Sequence, residues 1–353
     1  MQFDNNAANS QATMTDPHIG FVLTRSSVSR YGRTELEYWL ATDFGPVLLT
    51  VSGQRPVFFI AQEHGASAEA SLNKLGRGDY EVKPLELKTF QGLAVSAVYS
   101  ATPSDAYHAQ DLFKRAGVEL LEADIRPHDR YLMERFAYGS VEFTGERVEP
   151  NGYVEFKIAR LKSADYKPSL TIVSLDIECA MDGELFSIGL ASVDNSVSEV
   201  LMIGEEQADD QTTTLWFNDE KALLLGLCER ISAIDPDLII GWNVINFDMR
   251  VLLERAKHCR VKLKLGRANR EANWRNQVND PSKGYVSIAG RVTIDGIDAL
   301  RSATWCFPSF SLENVAQTLL GRGKKVEQGV DDRVAEIVHN FHHNKWALAA
   351  YKL

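Results

Sequence analysis

Thr171-Ile172-Val173-Ser174-Leu175-Asp176-Ile177-Glu178 is apolar until its two acids, the pattern of a buried central strand. Side chains two apart on a strand share a face, so Asp176 and Glu178 project together while Leu175 and Ile177 turn into the core. Two carboxylates held side by side repel each other, and a cation between them relieves that cost. Hard oxygen donors of this kind suit Mg²⁺ or Mn²⁺. Asp-x-Glu by itself equally fits a solvated strand end, so the pair needs company.

That company lies about seventy residues on. Asp237-Leu238-Ile239-Ile240-Gly241 reads as a second short buried strand, followed by Trp242-Asn243-Val244-Ile245-Asn246-Phe247-Asp248 and a helix over Phe247–His258. If the two strands are adjacent and parallel, their ends bring Asp248 toward Asp176 across a gap that one metal bridges. Asn243 and Phe247 then shape the turn and contact a substrate. Asp248 near a helix start is also favoured by the helix dipole alone, and Trp242 and Phe247 also fit core packing.

Working outward, Leu185–Val193 and Val200–Ile203 read as further strands and Lys221–Ile234 as an amphipathic helix, giving the order βββαβα. Upstream, Leu36–Thr42, Val47–Val51, Val57–Ala61 and Leu93–Tyr99 are strand-like, while Ala66–Leu75 and Asp105–Ala116 are helical. A helix over Arg126–Phe136 connects this mixed α+β unit to the next, and Val141–Gly152 is the expected boundary. The expected division is therefore a disordered tail over 1–17, an α+β domain over 18–145 and an α/β domain over 146–353.

Composition sets limits. The 353 residues carry a formal net charge of −10, which argues against nucleic acid as a default partner. The charge is uneven: Arg255–Arg275 holds eight Lys or Arg against the single acid Glu271, and Arg322, Lys324 and Lys325 form a smaller group. Such local patches can hold a phosphate backbone. Cys179, Cys228, Cys259 and Cys306 are scattered without a Cys-x-x-Cys pair, which fits a reducing cytoplasm. No signal-peptide pattern and no apolar run long enough for a bilayer is present, so no membrane partner is expected.

Gly241–Asp248, with Asp176 and Glu178 upstream, resembles the first two exonuclease motifs of the family B DNA polymerases. The likeness, strongest to a bacterial branch, extends through Tyr131–Phe136, Ile239–Val244, Ile294-Asp295-Gly296-Ile297 and Ser309-Phe310-Ser311-Leu312-Glu313. It implies a ribonuclease H-like 3′→5′ exonuclease fold behind the N-terminal domain. It also implies two Mg²⁺ or Mn²⁺ ions held by Asp176, Glu178 and Asp248, and DNA (a primer-template with a single-stranded 3′ end) as partner. The resemblance further implies a third motif, Tyr-x-x-x-Asp, in which Tyr351 orients the attacking water. Its acid would fall four positions on, beyond Leu353. The chain is therefore expected to be a piece cut within a helix, weak or inactive as a nuclease. Polymerase domains and any sliding-clamp contact are expected to lie outside it. Trp274 in the basic window is a candidate wall of a single-strand channel, with Phe307 and Phe310 as alternatives. Asp295 and Asp298 read as structural rather than metal-binding, and His342-His343 as surface residues. Two other readings stay open: a free-standing DEDD-type exonuclease, and a non-catalytic module that binds single-stranded nucleic acid.

Overall fold

The computed structural model describes residues 16–150, 152–205, 213–321, 330–345 and 348–349. They form two compact units, Met1–Ser169 and Leu170–Leu353.

The first unit is built on a meander: β1 (His18–Arg30), β2 (Arg33–Thr42) and β3 (Gly45–Gln54), each antiparallel to the next. Tyr31 and Gly32, at φ 49° and 74°, make the tight turn between β1 and β2. Two successive left-handed residues are what a two-residue hairpin matched to strand twist requires. The chain then leaves for β4 (Val57–Ala61), α1 (Gly65–Lys74), β5 (Tyr80–Lys88), β6 (Ala94–Ser100) and α2 (Pro103–Arg115). These five elements form a three-stranded sheet, ordered β4-β6-β5, with its own apolar core of Phe58, Ile60, Leu72, Val98 and Phe113. After α3 (Pro127–Met133) the chain returns as β7 (Ser140–Val148) and β8 (Val154–Ser163). β8 pairs parallel to β3 and β7 antiparallel to β1, closing a five-stranded barrel ordered β1-β2-β3-β8-β7. Alternate residues point inward: Leu36, Tyr38 and Leu40 from β2, Val47, Leu49 and Val51 from β3, with Phe143 and Phe156. Tyr131 and Leu132 of α3 pack into the same core.

Two expectations change here. The helix expected over Arg126–Phe136 spans only Pro127–Met133, and Phe136 beyond it sits at φ 50°. The stretch Val141–Gly152, expected as the boundary, largely belongs to β7, and the units divide between Ser169 and Leu170 rather than after 145. The reason is the parallel β3–β8 pairing, a contact between segments remote in sequence that no local pattern reveals.

The second unit is a six-stranded sheet ordered β12-β11-β10-β9-β13-β16. Its strands are β9 (Ile172–Cys179), β10 (Leu185–Ser192), β11 (Ser198–Ile203), β12 (Thr213–Phe217), β13 (Leu238–Gly241) and β16 (Val292–Asp295). β9, β10 and β11 run antiparallel, whereas β13 runs parallel to both β9 and β16. The extra strand β12 lies parallel to β11 and precedes α4 (Glu220–Ile234), so four strands rather than three come before that helix. α5 (Arg250–His258) follows β13, and β14 (Asn273–Gln277) with β15 (Asp280–Ser287) makes a separate hairpin. α6 (Gly296–Ser302), α7 (Leu312–Leu320) and α8 (Val330–His343) complete the unit.

One face of the sheet holds the main core. Leu175, Ile177, Ile188, Leu190 and Leu201 meet Leu223, Leu227 and Ile231 of α4 and Leu252 of α5. On the other face Val200 and Met202 pack with Leu348, Ala349 and the α8 residues Ile337, Val338 and Phe341. Phe186 stacks on Phe341 with ring centroids 4.1 Å apart. No helix among the described residues is long and apolar enough to cross a membrane.

Candidate active site

β9 alternates as expected: Val173, Leu175 and Ile177 are buried, Asp176 is exposed and Glu178 half-buried. The register sets Asp176 opposite Gly189 and Glu178 opposite Ser187 on β10. Cross-strand partners share a face, so Ser187 belongs to the acidic face. Its side chain is fully buried and its hydroxyl has no hydrogen-bond partner among the described residues.

β13 pairs with β9 only as far as Ser174 and then stops at Gly241. A Cβ on Gly241 would sit 2.6 Å from the Leu175 carbonyl oxygen, so only glycine lets the chain turn away there. Asn243 follows at φ 59°, a left-handed conformation that Asn tolerates better than most side chains. The next turn is wide: Met249 donates its N–H to the Val244 carbonyl at 2.8 Å, and Ile245–Met249 forms a π-helical turn ahead of α5. Such turns are frequent at functional sites because they re-aim one side chain.

Here the re-aimed side chain is Asp248. It is 1% exposed, and its Oδ1 accepts the backbone N–H of Ile177 at 2.9 Å. Ile177 is the residue between the two acids. β13 has already left β9 at this point, so the carboxylate takes up the place of a neighbouring strand. Asp295 acts similarly. Its Oδ2 accepts the Ile245 N–H at 3.2 Å while Oδ1 caps α6 at Ile297 N, 2.9 Å away. Asp295 is buried with both oxygens bonded to backbone N–H groups, and Asp298 is exposed.

The other sequence candidates fall in distinct places. Phe247 is 44% exposed beside Asp248. Asn243 is half-buried, and its carbonyl accepts the Phe247 N–H at 2.9 Å. Trp242 donates its indole N–H to the Phe310 carbonyl at 3.1 Å. Trp274 lies on β14, folded over Gly284 of the same hairpin, with its indole N–H on Asn276 Oδ1 at 2.7 Å. Tyr351 and the Arg322, Lys324, Lys325 group lie outside the described residues.

Three of the eight cations in the basic window, Arg255, Lys262 and Arg267, are held in ion pairs. Arg255 binds Glu220, whose Oε1 also accepts the Leu185 N–H at 2.7 Å. Lys262 pairs with Glu271 at 2.9 Å. Arg267 is buried between Asp235 and Asp237, each 2.9 Å away, and Arg291 joins Asp235 at 2.6 Å. Burial pulls the Arg291 guanidinium below its ordinary value, opposed chiefly by the charge of Asp235. Arg267 and Arg291 hold the segment between α5 and β16 to the end of α4; Lys257, Arg260 and Lys264 remain exposed.

The donor set fits divalent cations in its chemistry. Asp176 and Glu178 offer carboxylate oxygens from one face of one strand, beside an orphaned buried hydroxyl. Among the described residues no group of three or more His, Cys, Asp or Glu side chains is gathered to hold an ion. Asp248 joins the pair through its bond to the Ile177 N–H between them.

A six-stranded sheet with an acid pair on its central strand and a helix-borne aspartate fastened beneath is the architecture of a ribonuclease H-like exonuclease module. Residues 120–315 match the DNA polymerase family B exonuclease domain, and residues 20–55 match the N-terminal region of DNA polymerase II. The chain belongs to family B of the DNA polymerases. It is 40% identical over 340 residues to DNA polymerase II of Escherichia coli strain K12, across 95% of this chain and 42% of that protein. DNA polymerase 2 of Aeropyrum pernix is 28% identical over 263 residues, 69% of this chain and 32% of that one. The chain thus spans less than half the length of these relatives. In three dimensions it resembles the family B DNA polymerase of the hyperthermophilic archaeon Pyrobaculum calidifontis, at a TM-score of 0.72 and 18% identity over 95% of this chain and 43% of that chain. At that identity the likeness speaks for the fold alone.

Proposed function

We propose that the second unit is a 3′→5′ exonuclease that hydrolyses the terminal phosphodiester of DNA, and that the first two units of a DNA-directed DNA polymerase are what this chain comprises. The whole protein would extend primers and proofread them in a bacterial cytoplasm, with a sliding clamp as a further partner. The observation that carries this reading is the acid pair of β9 held from behind by Asp248.

In this reading Asp176 and Glu178, supported by Asp248, hold two Mg²⁺ or Mn²⁺ ions. Bound there, the ions supply an activated water and neutralise charge on the leaving 3′-oxygen. The residues of the chain do the positioning. Rigid pairing of β9 with β10 fixes the separation of the two carboxylates. Asp248 fixes the backbone between them, which matters because phosphodiester hydrolysis depends chiefly on positioning and charge stabilisation. Phe247, whose ring is exposed, would contact the terminal nucleotide, and Asn243 would shape the turn that carries it. Tyr351 would orient the water.

The test is release of 5′-mononucleotides from a 3′-recessed oligonucleotide with Mg²⁺. It compares this chain, a version continued past Leu353 through the third motif, and the longer version carrying Asp176→Ala. Hydrolysis by the longer version that disappears with Asp176→Ala supports the assignment. Hydrolysis that survives the substitution, or an inert longer chain that still binds DNA, overturns it in favour of a single-strand binding module.

A further inference from the structure

The end of α6 carries a group of aromatic rings that joins Trp305 to Phe307 and Phe310, the alternatives for a channel wall. Thr304 sits at φ 63°, and the helix closes with Thr304 N–H on the Arg301 carbonyl and Trp305 N–H on the Leu300 carbonyl, both at 3.0 Å. This double bond pattern is a common helix ending, but glycine normally occupies the left-handed position. A β-branched residue there is strained, and such strain concentrates at functional sites. The residue after such a cap ordinarily packs back on its helix, whereas Trp305 is 49% exposed.

Trp305 does not stand alone. Its ring lies parallel to that of Phe307, centroids 5.9 Å apart and planes within 6°. Phe307 meets Phe310 edge to face at 5.5 Å, and the exposed Arg301 guanidinium lies 4.6 Å from the Phe310 ring centre. Trp242 ties this group to the second motif, because its indole N–H holds the Phe310 carbonyl. Trp242 also packs against Gly296, where an added Cβ would come within 2.9 Å of its ring. The rings are thus fixed to the turn that delivers Phe247 and Asp248.

We propose that Trp305, Phe307 and Phe310, with Arg301, form a stacking platform for unpaired bases of the DNA strand shortened at the acid pair; this rests on the exonuclease reading. An open aromatic face accepts any base, since every base has a π-face. Arg301 adds a cation beside the ring, suited to the accompanying phosphate. The acid Asp298, one turn before Arg301 on α6, faces solvent and opposes only part of that charge.

The test measures anisotropy of a labelled oligothymidylate and of the same strand carrying abasic sites. It uses the full chain in EDTA, so that no hydrolysis intervenes. Trp305→Ala is expected to weaken the base-bearing strand by about five- to a hundredfold, to leave the abasic strand unchanged, and to be rescued by Trp305→Phe. If Trp305→Ala fails to fold, the wild-type chain should still bind the abasic strand more weakly by a similar factor. Equal weakening of both strands by Trp305→Ala, or no preference of the wild type for bases, overturns the platform. Asp176-dependent hydrolysis persisting with that result leaves the exonuclease reading intact. Absence of strand binding here, together with absence of hydrolysis by the version continued past Leu353, removes the two together.

Discussion

The carboxylate of Asp248 accepts the backbone N–H of Ile177 at 2.9 Å, so the second motif grips the strand that carries the first. Charge and hydrogen-bond acceptance are therefore separable at this position. Asp248→Asn keeps an acceptor oxygen and is expected to fold with near-native stability while losing metal-dependent hydrolysis. Asp248→Ala leaves the buried N–H unpaired and should cost a further 1–3 kcal/mol or about that. Urea unfolding of the two variants beside their mononucleotide release separates the roles. Equal stability of the two would show that the anchor does no structural work.

Asp176 is exposed on the same face as Glu178. Removing it relieves repulsion between neighbours and leaves no cavity. Asp176→Ala is thus expected to leave the urea midpoint unchanged or slightly raised while weakening Mn²⁺ binding measured by calorimetry. A large loss of stability would mark the residue as structural.

Ser187 has a buried hydroxyl without a partner opposite Glu178. An unpaired hydroxyl is costly, so Ser187→Ala should be neutral or stabilising, by up to about 1–3 kcal/mol. A clear loss of thermal stability in Ser187→Ala would mean that the hydroxyl is bonded in the native protein.

The Arg267–Asp237 pair is buried and bonded on both sides. Breaking it from one side strands a charge, and Arg267→Ala is expected to cost about 3–5 kcal/mol. Chemical denaturation of the second unit checks this. A change under about 1 kcal/mol would place the network among surface pairs of little value.

In the barrel, burial drives the His128 imidazole down to about 4 from its ordinary 6.5, against the pull of Asp129 and with Arg25 and Arg126 adding to the fall. Its Nδ1 lies 2.8 Å from Ser27 Oγ. The unfolded chain takes up a proton near 6.5 and the folded one does not until about 4. This contribution to stability is therefore complete above 6.5 and fades as the pH falls toward 4. The urea midpoint of the first unit should drop between pH 7 and pH 5, and less so in His128→Gln. An equal drop in both would assign the effect to other groups.

Which parts were legible in the sequence follows from the range of the interactions. The acid pair could be read because strand alternation is local, and β9 shows it residue by residue. Gly241 and Asn243 announced a turn for reasons of backbone sterics alone. The π-helical turn that swings Asp248 onto Ile177 was not legible, since its extra residue depends on where β13 leaves the sheet. Nor was the fate of the basic window: Arg255 and Arg267 looked free because Glu220, Asp235 and Asp237 lie far back in the chain. Asp295 followed by glycine was a readable helix-start signal, though its second bond to Ile245 was not. Trp305 could have been noticed with Phe307 and Phe310 as a dense aromatic stretch, but its half-exposed position depends on tertiary packing.

The barrel closes through the pairing of Val47–Leu49 with Val154–Phe156, and everything from β4 to α3 is threaded between those partners. During synthesis the meander of β1, β2 and β3 must then wait with an open edge until β8 leaves the ribosome. The inserted three-stranded sheet, with its own core, can fold in the interval. Such an order makes barrel closure slow, in line with the loop-closure entropy of a distant parallel pair. It also leaves the waiting edges of β3 and β1, whose partners β8 and β7 come late, as points at which a nascent chain is open to pairing with another.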